Sequence, residues 1–142
     1  MSYQKFGNKP TIVNGIKFQS RLEAERFQQL RLLEQAGEIS GLMLQVEFQI
    51  LRGWTNPGII SEYGMDEDGD ILYHTTETPT KAGERIKSRF YVADFVYFDT
   101  RTKMWVIEDT KGMETADFRL KWDYMRSQYP QYEFRKVRRE DI

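Results

Sequence analysis

Arg89-Phe-Tyr-Val-Ala-Asp-Phe-Val-Tyr-Phe98, the turn Asp99-Thr-Arg-Thr102 and Met104-Trp-Val-Ile-Glu-Asp-Thr-Lys-Gly112 together decide the reading of this chain. Both runs are rich in β-branched and aromatic residues and read as strands. Each carries an acid late in an otherwise apolar stretch, Asp94 and Asp109, and Lys111 follows the second acid. Alternation sets Asp109 and Lys111 on one face and Glu108 on the other. A two-residue loop at Arg101-Thr102 places Asp94 directly opposite Asp109, with Cβ atoms about 4.5–5.5 Å apart. A three-residue loop sets Glu108 opposite Asp94 instead, and Lys111 favours Asp109, the acid that shares its face. Two carboxylates that close repel unless a cation lies between them. The arrangement suits acids that hold a divalent cation and a lysine that faces a phosphate or an activated water. A solvated hairpin accounts for Asp99 and Lys103. It accounts less well for Asp94 and Asp109, because acids in apolar strands usually have a partner or a task.

Composition narrows the chemistry. The 142 residues suffice for one domain with a hydrophobic core. Cysteine is absent and His74 is the single histidine, which excludes disulfides, thiolate metal sites and imidazole-rich sites. Acid–base work therefore falls to carboxylates, Lys and Tyr. No apolar run approaches the roughly 18 residues of a membrane span, and no signal-peptide pattern is present, so a cytoplasmic, membrane-free protein is expected. The net charge of −1 hides an asymmetry: seven acids and one base give residues 62–84 a charge of −6, leaving +5 elsewhere. A mildly basic body with an acidic excursion is compatible with one polyanion-binding face.

Working outward, Thr11-Ile-Val13, Asn14-Gly15 and Ile16-Lys-Phe18 predict a small hairpin. Ser20 caps a helix that runs to about Ala36 before the Gly37 stop, with Leu22, Phe27, Leu30 and Leu33 on its apolar side. Leu44, Val46, Phe48 and Ile50 alternate with polar residues in a half-buried strand. Residues 53–88 read as an inserted hairpin or flap, with Asn56-Pro57-Gly58 as a break and Asp66-Glu-Asp-Gly-Asp70 as a solvated turn. Thr115 caps a second helix that ends near Tyr129 and Pro130, and Tyr132–Val137 is the last strand. The expected fold is α/β (α+β), one domain over 1–142, with core order α-β-(insert)-β-β-α-β and a mixed central sheet flanked by helices.

Glu23 joins the strand acids. Ser20-Arg-Leu-Glu23 fits a capping box, which by itself explains the residue. Glu23 also lies between Phe27 and Leu30 on the apolar side, whereas Glu25 points to the polar side. Asp66, Asp68, Asp70 and Glu77 mimic a calcium loop, but Ile71 stands where that loop requires Gly, and the flanks are not helical.

Gly15-Ile-Lys-Phe-Gln-Ser-Arg-Leu-Glu-Ala-Glu-Arg-Phe27, Leu44-Gln45, Tyr91-Val-Ala-Asp-Phe-Val-Tyr97 and Glu108-Asp-Thr-Lys-Gly112 together resemble small phage-type proteins of the PD-(D/E)XK nuclease superfamily. That group includes Holliday-junction resolvase-like and transposon-end nucleases. Two departures are Ala93 before the first acid, where Pro is the family pattern, and Asp109 where Glu is more usual. The resemblance implies a restriction-endonuclease-like core and a catalytic set of Glu23, Asp94, Asp109 and Lys111. The metal would be Mg²⁺ or Mn²⁺, held by Asp94, Asp109, the Thr110 backbone carbonyl and Glu23. Hard oxygen donors of this kind suit such ions.

The expected activity is a DNA endonuclease selective for branched DNA, acting in phage recombination or genome processing. Alternatives are a nicking or restriction-type nuclease, or a silent DNA-binding or assembly protein on the same fold. Expected phosphate contacts are Lys5, Lys9, Lys17, Arg119, Lys121, Arg126, Arg135, Lys136, Arg138 and Arg139, each also explicable as a solvated base. Symmetric cutting of two strands would favour a homodimer.

Overall fold

A computed structural model describes residues 9–55, 60–77 and 83–142. The contacts divide the chain into one unit of Met1–Phe48 with Tyr91–Ile142 and a second of Gln49–Phe90. Lys5 and the Asn56-Pro57-Gly58 break lie outside the described residues.

In the first unit, β1 (Thr11–Val13) pairs antiparallel with β2 (Ile16–Phe18). Their link is Asn14-Gly15, with φ of 51° and 78°, the positive pair that a type I′ turn requires. Helix α1 (Arg21–Gln35) starts where Ser20 accepts the Glu23 N–H and ends as Glu38 N–H returns to the Leu33 carbonyl at 3.0 Å. It buries Leu22, Phe27 and Leu30, as the apolar spacing predicts. Strand β3 (Ile39–Leu51) follows, starting earlier than the alternating residues from Leu44 suggest.

The central sheet has the order β10-β9-β8-β3, with β8 Arg89–Asp99, β9 Met104–Thr110 and β10 Glu133–Val137. Strand β9 is antiparallel to β8, while β10 is parallel to β9. Helix α2 (Ala116–Gln128), capped by Thr115, spans the connection that a parallel pair needs. The described residues thus form a mixed α/β fold with a mixed central sheet and two α-helices, as the sequence predicts. Phe95, Tyr97 and Val106 pack with Ala24, Phe27 and Leu30 of α1. On the other face, where Phe134 pairs with Ile107, Trp122 of α2 meets the Phe134 ring edge-on at 5.4 Å.

The β8–β9 turn answers one open question and corrects one reading. Asp99 pairs with Met104, so the loop is Thr100–Lys103 rather than Arg101-Thr102 alone. Asp99 is also not a solvated turn acid. It is 1% exposed and accepts the Arg101 N–H at 2.9 Å and the Arg135 guanidinium at 2.9 Å. These donors hold its carboxyl below the usual range despite burial. The longer loop keeps the pairing sum of the shorter one. The ladder runs to Phe95 opposite Glu108, and Asp94 and Asp109 are the next residues beyond that pair.

In the second unit, β4 (Trp54–Thr55) pairs antiparallel with β7 (Arg85–Ile86), and β5 (Ile60–Met65) with β6 (Ile71–Glu77). The β5–β6 turn is closed by Asp66, whose Oδ1 accepts the N–H groups of Asp68 and Asp70. That carboxylate shapes the turn. Among the described residues no helix is long and apolar enough to cross a membrane.

Candidate functional site

Asp94 and Asp109 are locked crosswise. Asp94 Oδ2 accepts both the backbone N–H and the hydroxyl of Thr110, each at 2.9 Å. Asp109 Oδ1 in turn accepts the Asp94 N–H at 3.2 Å, and the Tyr91 hydroxyl donates to its Oδ2. Each acid therefore satisfies backbone on the neighbouring strand, which is how two carboxylates can stand side by side in an apolar sheet. Tyr91, buried against Trp122, has its pKa raised by burial and by Asp109, so it stays a phenol and a donor.

Glu23 reaches the same place from the first turn of α1. The Ser20 half of the predicted capping box forms at 3.1 Å, but the Glu23 carboxylate takes Gln45 Nε2 at 2.6 Å. The same amide nitrogen lies 3.3 Å from Asp94 Oδ1, so Gln45 bridges the two acids. Gln45 adopts φ 51° within β3, an unfavourable conformation for a residue with a side chain. Strain of this kind concentrates at functional sites.

The electrostatics follow from burial and crowding. Burial, then the nearby Asp94, pushes the Glu23 carboxyl up to about 7; Gln45 and Lys111 oppose the rise. Burial, then Asp94, pushes Asp109 up to about 8, again against Lys111. Lys111 rests its ammonium 4.2 Å from the centre of the Phe118 ring, a cation–π contact that anchors it from α2.

A cleft of about 620 Å³ is lined by Glu23, Gln45, Asp94, Thr110, Lys111 and Arg139 among others. Asp109 is 1% exposed and lies behind this lining. Among the described residues no group of three or more acids or histidines forms a ready metal cage. The residues nevertheless suit a hard divalent cation. Asp94 raises both neighbouring carboxyls, a mutual repulsion that a cation would relieve, and every donor is oxygen. Mg²⁺ usually keeps several waters and needs only one or two carboxylates.

The predicted phosphate contacts divide. Lys9 and Arg139 line the main cleft, and Arg119, Arg138 and Arg139 line an adjoining one with Lys111, while Arg139 also pairs with Glu25 and Arg138 with Glu114 at 3.8 Å. Arg135 is half-buried and bonded within the fold to Asp99, Glu133 and the Tyr97 hydroxyl. Lys136 pairs with Glu114 at 2.7 Å, Lys121 with Asp117 at 3.2 Å and Arg126 with Asp123 at 3.6 Å. Lys17 is exposed on β2, and neither cleft includes it. Glu108 faces away from the acids, fully buried against Arg26.

Sequence reading missed Tyr91 and Gln45. Strict alternation assigns Tyr91 to the face opposite Asp94, and the positive φ of Gln45 leaves no mark in the residue pattern.

The raised carboxyls make a pH prediction. A folded pKa above the unfolded value gives stability that is complete below pH ~4 and lost as pH rises through the folded pKa. For Glu23 and Asp109 that loss extends to about 7 and about 8. Without metal, Asp109→Asn should gain at least roughly 5 °C in melting temperature relative to wild type between pH ~5 and pH ~8.5. Parallel melting curves at the two pH values would remove the assigned burial of charge.

A family model described as "Protein of unknown function (DUF1064)" matches residues 3–140. Neither the curated proteins nor the solved structures contain a match to the chain.

Proposed function

The chain belongs to the DUF1064 family, and for this member we propose a metal-dependent DNA endonuclease on a restriction-endonuclease-like α-β-β-β-α-β core. One observation carries the reading. Glu23 from a helix, Asp94 from β8 and Lys111 just past the end of β9 line one cleft, with Asp109 of β9 bonded to Asp94 behind that lining. The element order α1, β3, β8, β9, α2, β10, with β10 parallel to β9, suits that core.

Asp94, Glu23 and the Thr110 carbonyl would hold Mg²⁺ or Mn²⁺, with Asp109 fixing Asp94 from behind and available as a further ligand. When bound, the ion supplies a water of lowered pKa and neutralises phosphate charge. Lys111 offsets charge that develops on the phosphate and is held for that task by Phe118. Gln45 keeps Glu23 and Asp94 oriented towards each other. Arg119, Arg138 and Arg139 beside Lys111 offer contacts to flanking phosphates. Branched DNA in the cytoplasm is the proposed substrate, cut by two copies of the chain acting on paired strands.

The test is cleavage of a labelled four-way junction and a matched linear duplex with Mg²⁺, Mn²⁺ or EDTA. Metal-dependent cutting with junction preference is expected. DNA binding without cutting under any metal would replace this reading with a silent binding protein. Millimolar Mg²⁺ should also raise the melting temperature at pH ~8, since a ligand that binds only the folded state stabilises it. Asp94→Asn should lose that rise.

A further inference from the structure

The insert is not uniformly acidic. Residues 62–84 carry −6, but the flanking segments 49–55 and 85–90 hold Arg52, Arg85, Lys87 and Arg89 and no acid. In the structure these segments form the β4–β7 ribbon, in which Trp54 faces Ile86 and Thr55 faces Arg85. A cavity of about 740 Å³ opens there, lined from both strands by Arg52, Trp54, Arg85 and Lys87. No carboxylate lines it among the described residues. Its volume falls within the range of pockets that take organic ligands, about 300–1,000 Å³.

The floor is closely built. Gly53 N–H donates to Ser88 Oγ at 3.1 Å, and a Cβ on Gly53 would stand 3.1 Å from that oxygen and from the Ile86 carbonyl. Trp54 is 47% exposed on this ribbon, a large indole left in water with cationic side chains around it. A polyanion answers the cations. It explains the tryptophan only if it also carries flat π-faces that are free to stack. Duplex DNA presents phosphates but keeps its bases stacked inside, so it satisfies the charges and leaves the indole unused. An unpaired strand supplies both, and base–aromatic stacking with basic side chains on the backbone is how sequence-tolerant single-strand sites work.

We infer that the stem of the insert is a binding site for unpaired nucleotides. Trp54 stacks on a base, and Arg52, Arg85 and Lys87 hold the adjoining phosphates. The acidic segment beyond the stem repels the backbone and keeps the strand on the ribbon. The site deepens the proposed function, on whose nucleic-acid substrate it rests. It gives the protein a means to select DNA with unpaired residues, as at a branch or fork, over continuous duplex.

Binding in EDTA tests it separately from cleavage. The 142-residue Asp94→Asn chain is titrated with fluorescent oligothymidylate, a duplex of equal length and an abasic oligonucleotide with the same number of phosphates. Oligothymidylate should bind about tenfold more tightly than the abasic strand. Trp54→Leu should remove that advantage, and Trp54→Tyr should keep most of it. The two variants share any effect of replacing the indole on folding, so their contrast reads the aromatic ring. Arg52→Ala with Lys87→Ala should flatten the salt dependence of binding by close to two phosphate contacts. Equal binding of abasic and base-bearing strands, unchanged affinity in Trp54→Leu, or preference for duplex would each overturn the site. Such an outcome with metal-dependent cleavage intact would spare the nuclease reading. Specific strand binding without cleavage would do the reverse.

Discussion

Asp94→Asn should lower metal-dependent DNA cleavage by about a thousandfold, the scale seen when one group that stabilises transition-state charge is removed. Asp94 is the hub of the site. It shares Gln45 with Glu23, accepts two bonds from Thr110 and gives its own N–H to Asp109. An amide keeps the size and some of those bonds, so the fold should persist, but it removes the charge that attracts the cation. The measurement is single-turnover cleavage with saturating enzyme, next to DNA affinity in EDTA. Lost cleavage with affinity within a few-fold of wild type fits a ligand role. Cleavage within tenfold of wild type would remove Asp94 from the chemistry.

Arg26→Ala should cost about 3–5 kcal/mol of stability, the range for breaking a buried ion pair from one side. For a chain of this size that is a fall of roughly 10 °C or more in melting temperature. Arg26 grips both oxygens of Glu108 at 2.8 Å, and the Tyr97 hydroxyl donates to the same carboxylate at 2.7 Å. Glu108 has no exposed surface, so truncating Arg26 leaves its charge without water or a cation. Burial works against the Arg26 guanidinium, and Glu108 more than offsets it, holding the arginine above its ordinary pKa. The paired change Arg26→Met with Glu108→Leu should recover most of the loss, because replacing both charges with apolar groups is often neutral. Urea unfolding of the single and double variants decides the matter. A loss under about 1 kcal/mol in Arg26→Ala would make the pair a bystander. Glu23 lies one turn before Arg26, so this clamp also sets how α1 presents its acid to the cleft.

The parts of the site legible in the sequence are those that break a pattern. Asp94 and Asp109 interrupt apolar strands, and Glu23 interrupts the apolar side of a helix, so each is conspicuous against its neighbours. Which acid of β9 stands beside Asp94 depended on the loop, with Lys111 favouring Asp109. Turn length was not legible, because Thr100–Lys103 and a tighter loop share one register. Partnerships across distant segments left no such trace. Asp99 and Arg135 read as a turn acid and a surface base, yet 36 positions apart they form one ion pair in which the acid is buried and the arginine half-buried. Tyr91 escaped because it reaches Asp109 from a position that alternation assigns to the other face. Gln45 was visible as a residue but not as a bridge, since that role depends on where α1 docks.

The β4–β7 ribbon has a consequence for how the chain finds its fold. Neighbouring strands β3 and β8 are separated in the chain by the unit Gln49–Phe90. Bringing them together directly means closing a loop of about 40 residues, and the entropy lost grows as (3/2)RT ln n. Trp54 opposite Ile86 and Gln49 Nε2 within 3.4 Å of Ser88 Oγ hold the ends of that loop together. Once the ribbon has met the cost of closing its own loop of about 30 residues, the closure left to the sheet spans only a few residues and is lower by about 2 kcal/mol. A ribbon of two-residue strands thereby carries the closure of the interruption itself and leaves the central sheet a short one.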